Sequence, residues 1–286
     1  MKEKKFNWAL VLAGGGARGL AHVGLLKGLE DAGFPEPSLV VGTSMGAIVG
    51  GLYACGMTPQ EIENFVIEEF NISDYLDSFV FKINGPVGKV MQTGQALAML
   101  AGRPGIETGQ RIHELLKKLT RGKRFSETRI PFRCNAVDLI TGNEIVFSSG
   151  YLAMAIRASM SLPVFFEPVL EKGMCLVDGG LINNMPVNIA RKEGFSRVLA
   201  VNVNIFTELA PEELRNGPHV IFRSIDCAIH AQNLDKKEHT ADLTLNIMVE
   251  EEFFSFFKQK ELMKLGKQTV LDNMNSLKNF FEGDHE

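Results

Sequence analysis

Three short stretches of this chain carry residue types that chemistry needs. The first is Gly42-Thr43-Ser44-Met45-Gly46, preceded by the apolar Leu39-Val40-Val41 and followed by a helical pattern. A serine centred in GxSxG on a sharp strand-to-helix turn has its hydroxyl pushed out above the sheet, where it can act as a nucleophile. Gly42 and Gly46 fall where a side chain would collide with the neighbouring strand and helix. The same pattern also suits a serine that only caps the helix. The second stretch is Gly14-Gly15-Gly16-Ala17-Arg18-Gly19. A glycine loop between a strand and a helix aims backbone N–H groups at negative charge. Beside a nucleophilic serine, such donors are what acyl transfer requires at the carbonyl oxygen. The third is Asp178-Gly179-Gly180, a carboxylate closing the apolar run Met174-Cys175-Leu176-Val177. Its glycines let another group approach the carboxylate closely, although Asp-Gly is equally a common turn pair.

Competing chemistries fail at definite positions. Gly14, Gly16 and Gly19 fit GxGxxG, but the second strand ends in Val41-Gly42-Thr43-Ser44 without the carboxylate that a dinucleotide site places there. No GK[ST] follows the glycines, which removes a Walker phosphate loop. The cysteines, Cys55, Cys134, Cys175 and Cys227, form no CxxC and have no histidine at ligand spacing, so neither a metal nor another cofactor is expected. They read as small buried residues of a reducing compartment. A serine needs a base, and histidine is the usual one. His22, His113, His219, His230, His239 and His285 lie in no catalytic spacing, but four of them follow Asp178, so a Ser–Asp–His order stays open. With Asp178 itself as base, its ordinary pKa of about 3.9 is low for neutral pH, and burial must raise it.

The elements that would position these groups follow from the pattern. Residues 8–13 form an apolar run of strand length, suited to a sheet covered on both faces. A helix is expected from Leu20 to Ala32, ended by Gly33, and another from Ala47 to about Gly56. Thr58, Pro59 and Glu61 then form a helix start with a capping box. Residues 71–106 mix apolar side chains with glycines and read as ordinary core with irregular connections, a lid over a greasy substrate being the alternative. An amphipathic helix is predicted over 107–120. Around it, residues 103–133 hold nine Arg or Lys against three Glu. A solvated face explains that excess, and anionic head groups are its alternative. Strands are predicted at 132–139 and 144–148 around Thr141-Gly142-Asn143, then a helix at 152–159 and strands at 199–203 and 243–247. Phe253, Phe254, Phe256 and Phe257 read as core rather than a membrane-inserting tip. A helical pattern through Met263, Val270, Met274, Leu277 and Phe281 closes the chain. Without internal repeat or linker, the expectation is one domain over 1–286, with a motif core at about 7–205 and a helical region at about 250–286.

The net charge of −4 over 286 residues does not suggest nucleic acid, and a hydrophobic fraction of 45% suits a globular core. The basic start Met1-Lys2-Glu3-Lys4-Lys5 imitates a signal peptide, but the apolar run behind it is broken by three glycines and Arg18. No run of 18 uncharged apolar residues occurs, so the expected place is the cytoplasm, with membrane contact only peripheral.

Taken in order and spacing, GGGARG, GTSMG and DGG resemble the patatin-like phospholipase family in its small bacterial form. The match extends to Gly19-Leu20-Ala21-His22-Val23-Gly24, to Arg157-Ala158-Ser159, and to Leu181-Ile182-Asn183-Asn184-Met185-Pro186-Val187 behind the DGG. The resemblance implies a three-layer α/β sandwich with a mostly parallel central sheet. It also implies hydrolysis of fatty-acyl esters of phospholipid or lysophospholipid by a Ser–Asp dyad through an acyl-enzyme. Ser44 would then be the nucleophile, Asp178 its partner, and Gly14, Gly15, Gly16 and Arg18 the oxyanion hole. One departure is Val164 after Pro163, where the family often has glycine or alanine; it would narrow the site near the acyl chain. A thioesterase or short-chain esterase is the neighbouring reading. A non-catalytic regulatory protein on the same fold is the reading from another class.

Overall fold

The computed structural model describes residues 6–76, 102–214, 217–234, 240–249 and 256–282. Its first strand, β1 (Ala9–Leu12), is buried at every residue. Leu10 and Leu12 face one hydrophobic core while Ala9 and Val11 face a second, so the run needs no polar side. β2 (Leu39–Gly42) pairs parallel to β1, and β9 (Val198–Asn202) pairs parallel to β1 on its other edge. β10 (Leu243–Asn246) extends the sheet beyond β9, again parallel. The larger core lies under helices α1 (Ala21–Asp31), α2 (Met45–Ala54) and α3 (Pro59–Asn64), together with α4 (Gln110–Leu119) and α5 (Leu152–Ser159). The smaller core lies under α6 (Val187–Lys192). Helices on both faces of a mostly parallel sheet make the three-layer α/β architecture expected from the motifs.

The sheet changes character at β4 (Phe132–Asp138). β2 pairs parallel to its first residues, with Gly42 opposite Cys134. β8 (Met174–Asp178) pairs antiparallel to its last residues, with Asp178 opposite Ala136. β5 (Glu144–Phe147) spans the same stretch, Cys134 and Ala136 included. A strand has only two edges, so β5 holds one and β2 and β8 share the other, running toward each other until their C-terminal ends meet. β7 (Val169–Glu171) borders β8, while β3 (Gly105–Glu107) and β6 (Val164–Phe166) form a separate pair.

Several expectations shift. The helix predicted over 107–120 starts only at Gln110, because Gly105–Glu107 is strand and Gly109 takes a left-handed φ of 67°. The C-terminal pattern divides at Asn273 into α8 (Gln259–Asp272) and α9 (Met274–Glu282). Cys55 and Cys134 are buried, but Cys175 is half-buried and Cys227 exposed on α7 (Gly217–Leu234), so the small-buried reading fits only the first two. The basic stretch is partly neutralised locally: Arg129 pairs with Glu36, Arg133 with Glu193 and Lys117 with Glu114. Most of the glycine-punctuated stretch, residues 77–101, lies outside the described residues, as do Phe253 and Phe254. Phe256 packs on Phe70 at 6.1 Å, whereas Phe257 is 88% exposed. Among the described residues no helix is long and apolar enough to cross a membrane.

Candidate active site

The meeting of β2 and β8 sets the site. Gly42 stands opposite Cys134 and Asp178 opposite Ala136, so a residue two past Gly42 arrives level with Asp178. That residue is Ser44, and its Oγ donates a hydrogen bond to Asp178 Oδ2 at 2.6 Å. The contact is direct, which leaves no room for an imidazole between them. Asp178 closes the apolar run at 174–177, as expected. It reaches Ser44 from the opposite direction, along an antiparallel strand.

Ser44 occupies φ 54° and ψ −120°, a strained conformation for a residue with a side chain. The turn is tight enough that a Cβ on Gly42 would stand 2.3 Å from the Gly46 carbonyl oxygen, and one on Gly46 would stand 2.1 Å from the Leu12 oxygen. Both positions therefore require glycine. One segment braces both partners: the Ser44 N–H donates to Ser159 Oγ at 3.0 Å, and the Asp178 N–H donates to the Ser161 oxygen at 3.0 Å. Arg157, 4% exposed, fixes that segment. It donates to the carbonyls of Thr108 at 2.8 Å, Gly109 at 3.1 Å and Glu167 at 3.0 Å, and to Ser161 Oγ. Burial brings its pKa down to about 10, so it stays charged among those acceptors at neutral pH.

Asp178 is 3% exposed, and its pKa is pushed up to about 6. Desolvation is the main cause; the bonds from Ser44 and from the Gly180 N–H, the latter 2.8 Å from Oδ1, pull in the opposite direction. The glycine loop lies against this pair. A Cβ on Gly14 would sit 3.1 Å from Ser44 Cβ, and Gly15 lines the same cleft as Ser44 and Asp178. The Gly14 N–H is already given to the Asn184 carbonyl at 3.2 Å, so the loop's first amide is not available as an oxyanion donor as expected. The next two remain: Gly15 precedes, and Gly16 opens, the helical turn Gly16–Leu20, and the first amides of such a turn have no acceptor within it. Arg18 directs its guanidinium at Asn204, with Nη1 2.7 Å from Oδ1.

The walls of the cleft are mixed. Leu162, Leu181, Ile225 and Ile229 give it an apolar side, while Asn184, Asn204 and Asp226 give it a polar one. No histidine lies among the described residues that line it. His22 is buried elsewhere, bonded through Nε2 to the Ala13 oxygen at 2.9 Å, and burial lowers its pKa to about 4. His230 stacks on Phe206 at 4.3 Å. Val164 takes φ 73°, a region that favours glycine, but it is Leu162, two residues earlier, that lines the cleft.

Several residues around the site had no role in the sequence argument. Asn135, in the middle of β4, accepts from Thr43 Oγ1 at 2.8 Å and donates to the Asn183 carbonyl at 3.0 Å, tying the elbow to the segment after Asp178. Asn184 donates to the Gly14 oxygen at 3.2 Å and so ties the same segment to the glycine loop. A polar residue flanked by Cys134 and Ala136 at the centre of a strand was the available signal for Asn135.

Comparison with known proteins agrees with this arrangement. The family model described as patatin-like phospholipase matches residues 10–191. Lysophospholipase NTE1 of Kluyveromyces lactis is 33% identical over 207 residues, covering 71% of this chain and 13% of the relative. The enzyme of the same name from Saccharomyces cerevisiae is 31% identical over 218 residues, 74% of this chain and 12% of its own. The chain thus spans about an eighth of the length of these relatives. Among solved structures, VipD from Legionella pneumophila superposes with a TM-score of 0.53 at 17% identity, covering 96% of this chain and 67% of that one. Human GIVD cytosolic phospholipase A2 gives 0.50 at 10% identity, covering 99% and 61%, and these two likenesses speak to the fold alone. With the glycine loop, the serine elbow and the DGG segment assembled around one cleft, and a family match across more than half its length, this chain belongs to the patatin-like phospholipases.

Proposed function

We propose that this protein is a serine hydrolase that cleaves fatty-acyl esters of lipids, phospholipid or lysophospholipid, with Ser44 as nucleophile and Asp178 as its base. The observation that carries the reading is the 2.6 Å hydrogen bond from Ser44 Oγ to a buried carboxylate, in a cleft with one apolar wall. The relatives named lysophospholipase favour the same substrate class.

The steps follow from the geometry. Ser44 Oγ bonds to the ester carbonyl carbon as Asp178 Oδ2 takes its proton. The carbonyl oxygen becomes an oxyanion and is received by the Gly15 and Gly16 amides. Collapse breaks the ester C–O bond, and Asp178 returns the proton to the departing alcohol. Water then gives a proton to Asp178 and its oxygen to the acyl carbon. A second tetrahedral collapse frees the fatty acid and restores the Ser44 hydroxyl. No step calls for a metal. The four free cysteines favour a cytoplasmic enzyme.

Hydrolysis of p-nitrophenyl esters by wild type, Ser44→Ala and Asp178→Asn tests the reading. Both variants should lose at least about a thousandfold in kcat while remaining folded. Equal rates in all three would end it. Labelling of Ser44 by a fluorophosphonate separates this enzyme from a regulatory protein on the same fold, which would not label. Comparing acyl-thioester with lysophospholipid turnover separates the thioesterase alternative.

A further inference from the structure

Glycine amides make good oxyanion donors only when something holds them, because glycine has no side chain with which to anchor itself. In this loop the first residue able to reach outward is Arg18, two positions beyond Gly16 within the turn Gly16–Leu20. Its guanidinium does not run free into solvent. Arg18 Nη1 donates to Asn204 Oδ1 at 2.7 Å, bridging residues 186 apart in the chain. The Asn204 side chain lies near enough to the Asp226 carboxylate to favour its charged form, and both residues line the same cleft. The positive charges of Arg18 and Arg223 both favour the ionised form of Asp226.

We propose that Asn204 and Asp226 are positioning residues for ester hydrolysis: through Arg18 they hold the Gly15 and Gly16 amides at the mouth of the cleft beside Ser44. The inference rests on the acyl-hydrolase reading above. Neither residue belongs to the stretch matched by the family, which ends at residue 191.

Their own placement is firm. Asn204 lies two residues past β9, beside β1, and its N–H donates to Asn202 Oδ1 at 3.0 Å. Between them, Val203 forms the seat of the loop, since a Cβ on Gly15 would come within 2.7 Å of its Cγ2. Asp226 is carried by α7, whose rotation is fixed by the same connection: Arg223 lies 3.8 Å over the Phe206 ring, donates to the Thr207 carbonyl at 2.5 Å, and His230 stacks on Phe206. Asn204 and Asp226 both line the cleft that contains Ser44. Burial opposes the charge on Asp226, and nearby guanidinium groups act on a half-buried carboxylate more strongly than on an exposed one.

The test is steady-state hydrolysis of p-nitrophenyl butyrate by Asp226→Asn, Asp226→Glu, Asn204→Ala, Arg18→Ala and the double variant Arg18→Ala/Asp226→Asn. Thermal unfolding is recorded for each. Asp226→Asn and Asn204→Ala should lower kcat about tenfold with KM within about twofold, less than the roughly hundredfold loss from deleting an oxyanion donor. Asp226→Glu should recover most of kcat. The double variant should be no worse than Arg18→Ala alone, because both changes cut one connection. Cys227→Ser, at the exposed neighbouring position of α7, should leave kcat unchanged. Wild-type kcat in Asp226→Asn, or losses that multiply in the double variant, would overturn the proposal. Ser44→Ala separates the two levels: an active Ser44→Ala removes the hydrolase reading, whereas an inactive Ser44→Ala beside a fully active Asp226→Asn removes only the anchor.

Discussion

Asp178 would be a poor base in water, where a carboxylate with a pKa of about 3.9 holds a proton too weakly at neutral pH. Burial changes that, raising its pKa to about 6. The ionised form is the one that accepts the proton of Ser44, so kcat/KM should rise with pH around an apparent pKa near 6 and level off above it. A flat profile between pH 5 and 8 would contradict the assignment. The same shift has a stability consequence of opposite sense. The folded protein binds this proton more tightly than the unfolded chain, so the contribution of Asp178 is favourable below about pH 4 and is lost as pH rises through about 6. Asp178→Asn, which carries no charge to bury, should therefore stabilise the fold at pH 7 by up to about 3 kcal/mol and give little at pH 4, as urea unfolding would show. These two residues were legible in the sequence because each sits in a short stretch whose glycines betray a close approach. Asn204 and Asp226 were not, because their partner Arg18 is far away along the chain and no local pattern connects them.

At the scale of elements, hydrophobic runs announced most strands and several helices, the helix Leu152–Ser159 among them. What such runs cannot carry is direction: Met174–Asp178 reads the same whether it lies parallel or antiparallel, and only the pairing with β4 reveals that it runs head-on toward β2. Helix contacts were equally hidden. α1 and α8 approach so closely that a Cβ on Gly24 would lie 1.7 Å from the Met263 oxygen, and one on Gly266 would lie 1.9 Å from the Ala21 oxygen. In an isolated helix, glycine to alanine gains about 1 kcal/mol. Here the sign should reverse, because backbone rather than a flexible side chain stands in the way. Gly266→Ala should cost more than about 2 kcal/mol in urea unfolding, and an unchanged midpoint would show that α8 does not dock as described.

At the scale of the whole molecule, the stretch shared with the family is shorter than the fold. The match ends at residue 191, yet β9 pairs directly with β1, β10 pairs with β9, and α8 covers α1. A chain ending at residue 205 keeps every motif read from the sequence but loses β10, α7, α8 and α9. It should fail to show a cooperative thermal transition by circular dichroism, because apolar faces of β9 and α1 would be left to water. The aromatic cluster at the far end offers a way to watch this. Trp8, fully buried ahead of β1, packs against Phe280 at 6.0 Å and Phe281 at 5.1 Å, and both rings belong to α9. It is the sole tryptophan in the sequence. Its emission colour is therefore an intrinsic gauge of whether the C-terminal helix is seated, readable without any attached dye and independent of catalysis.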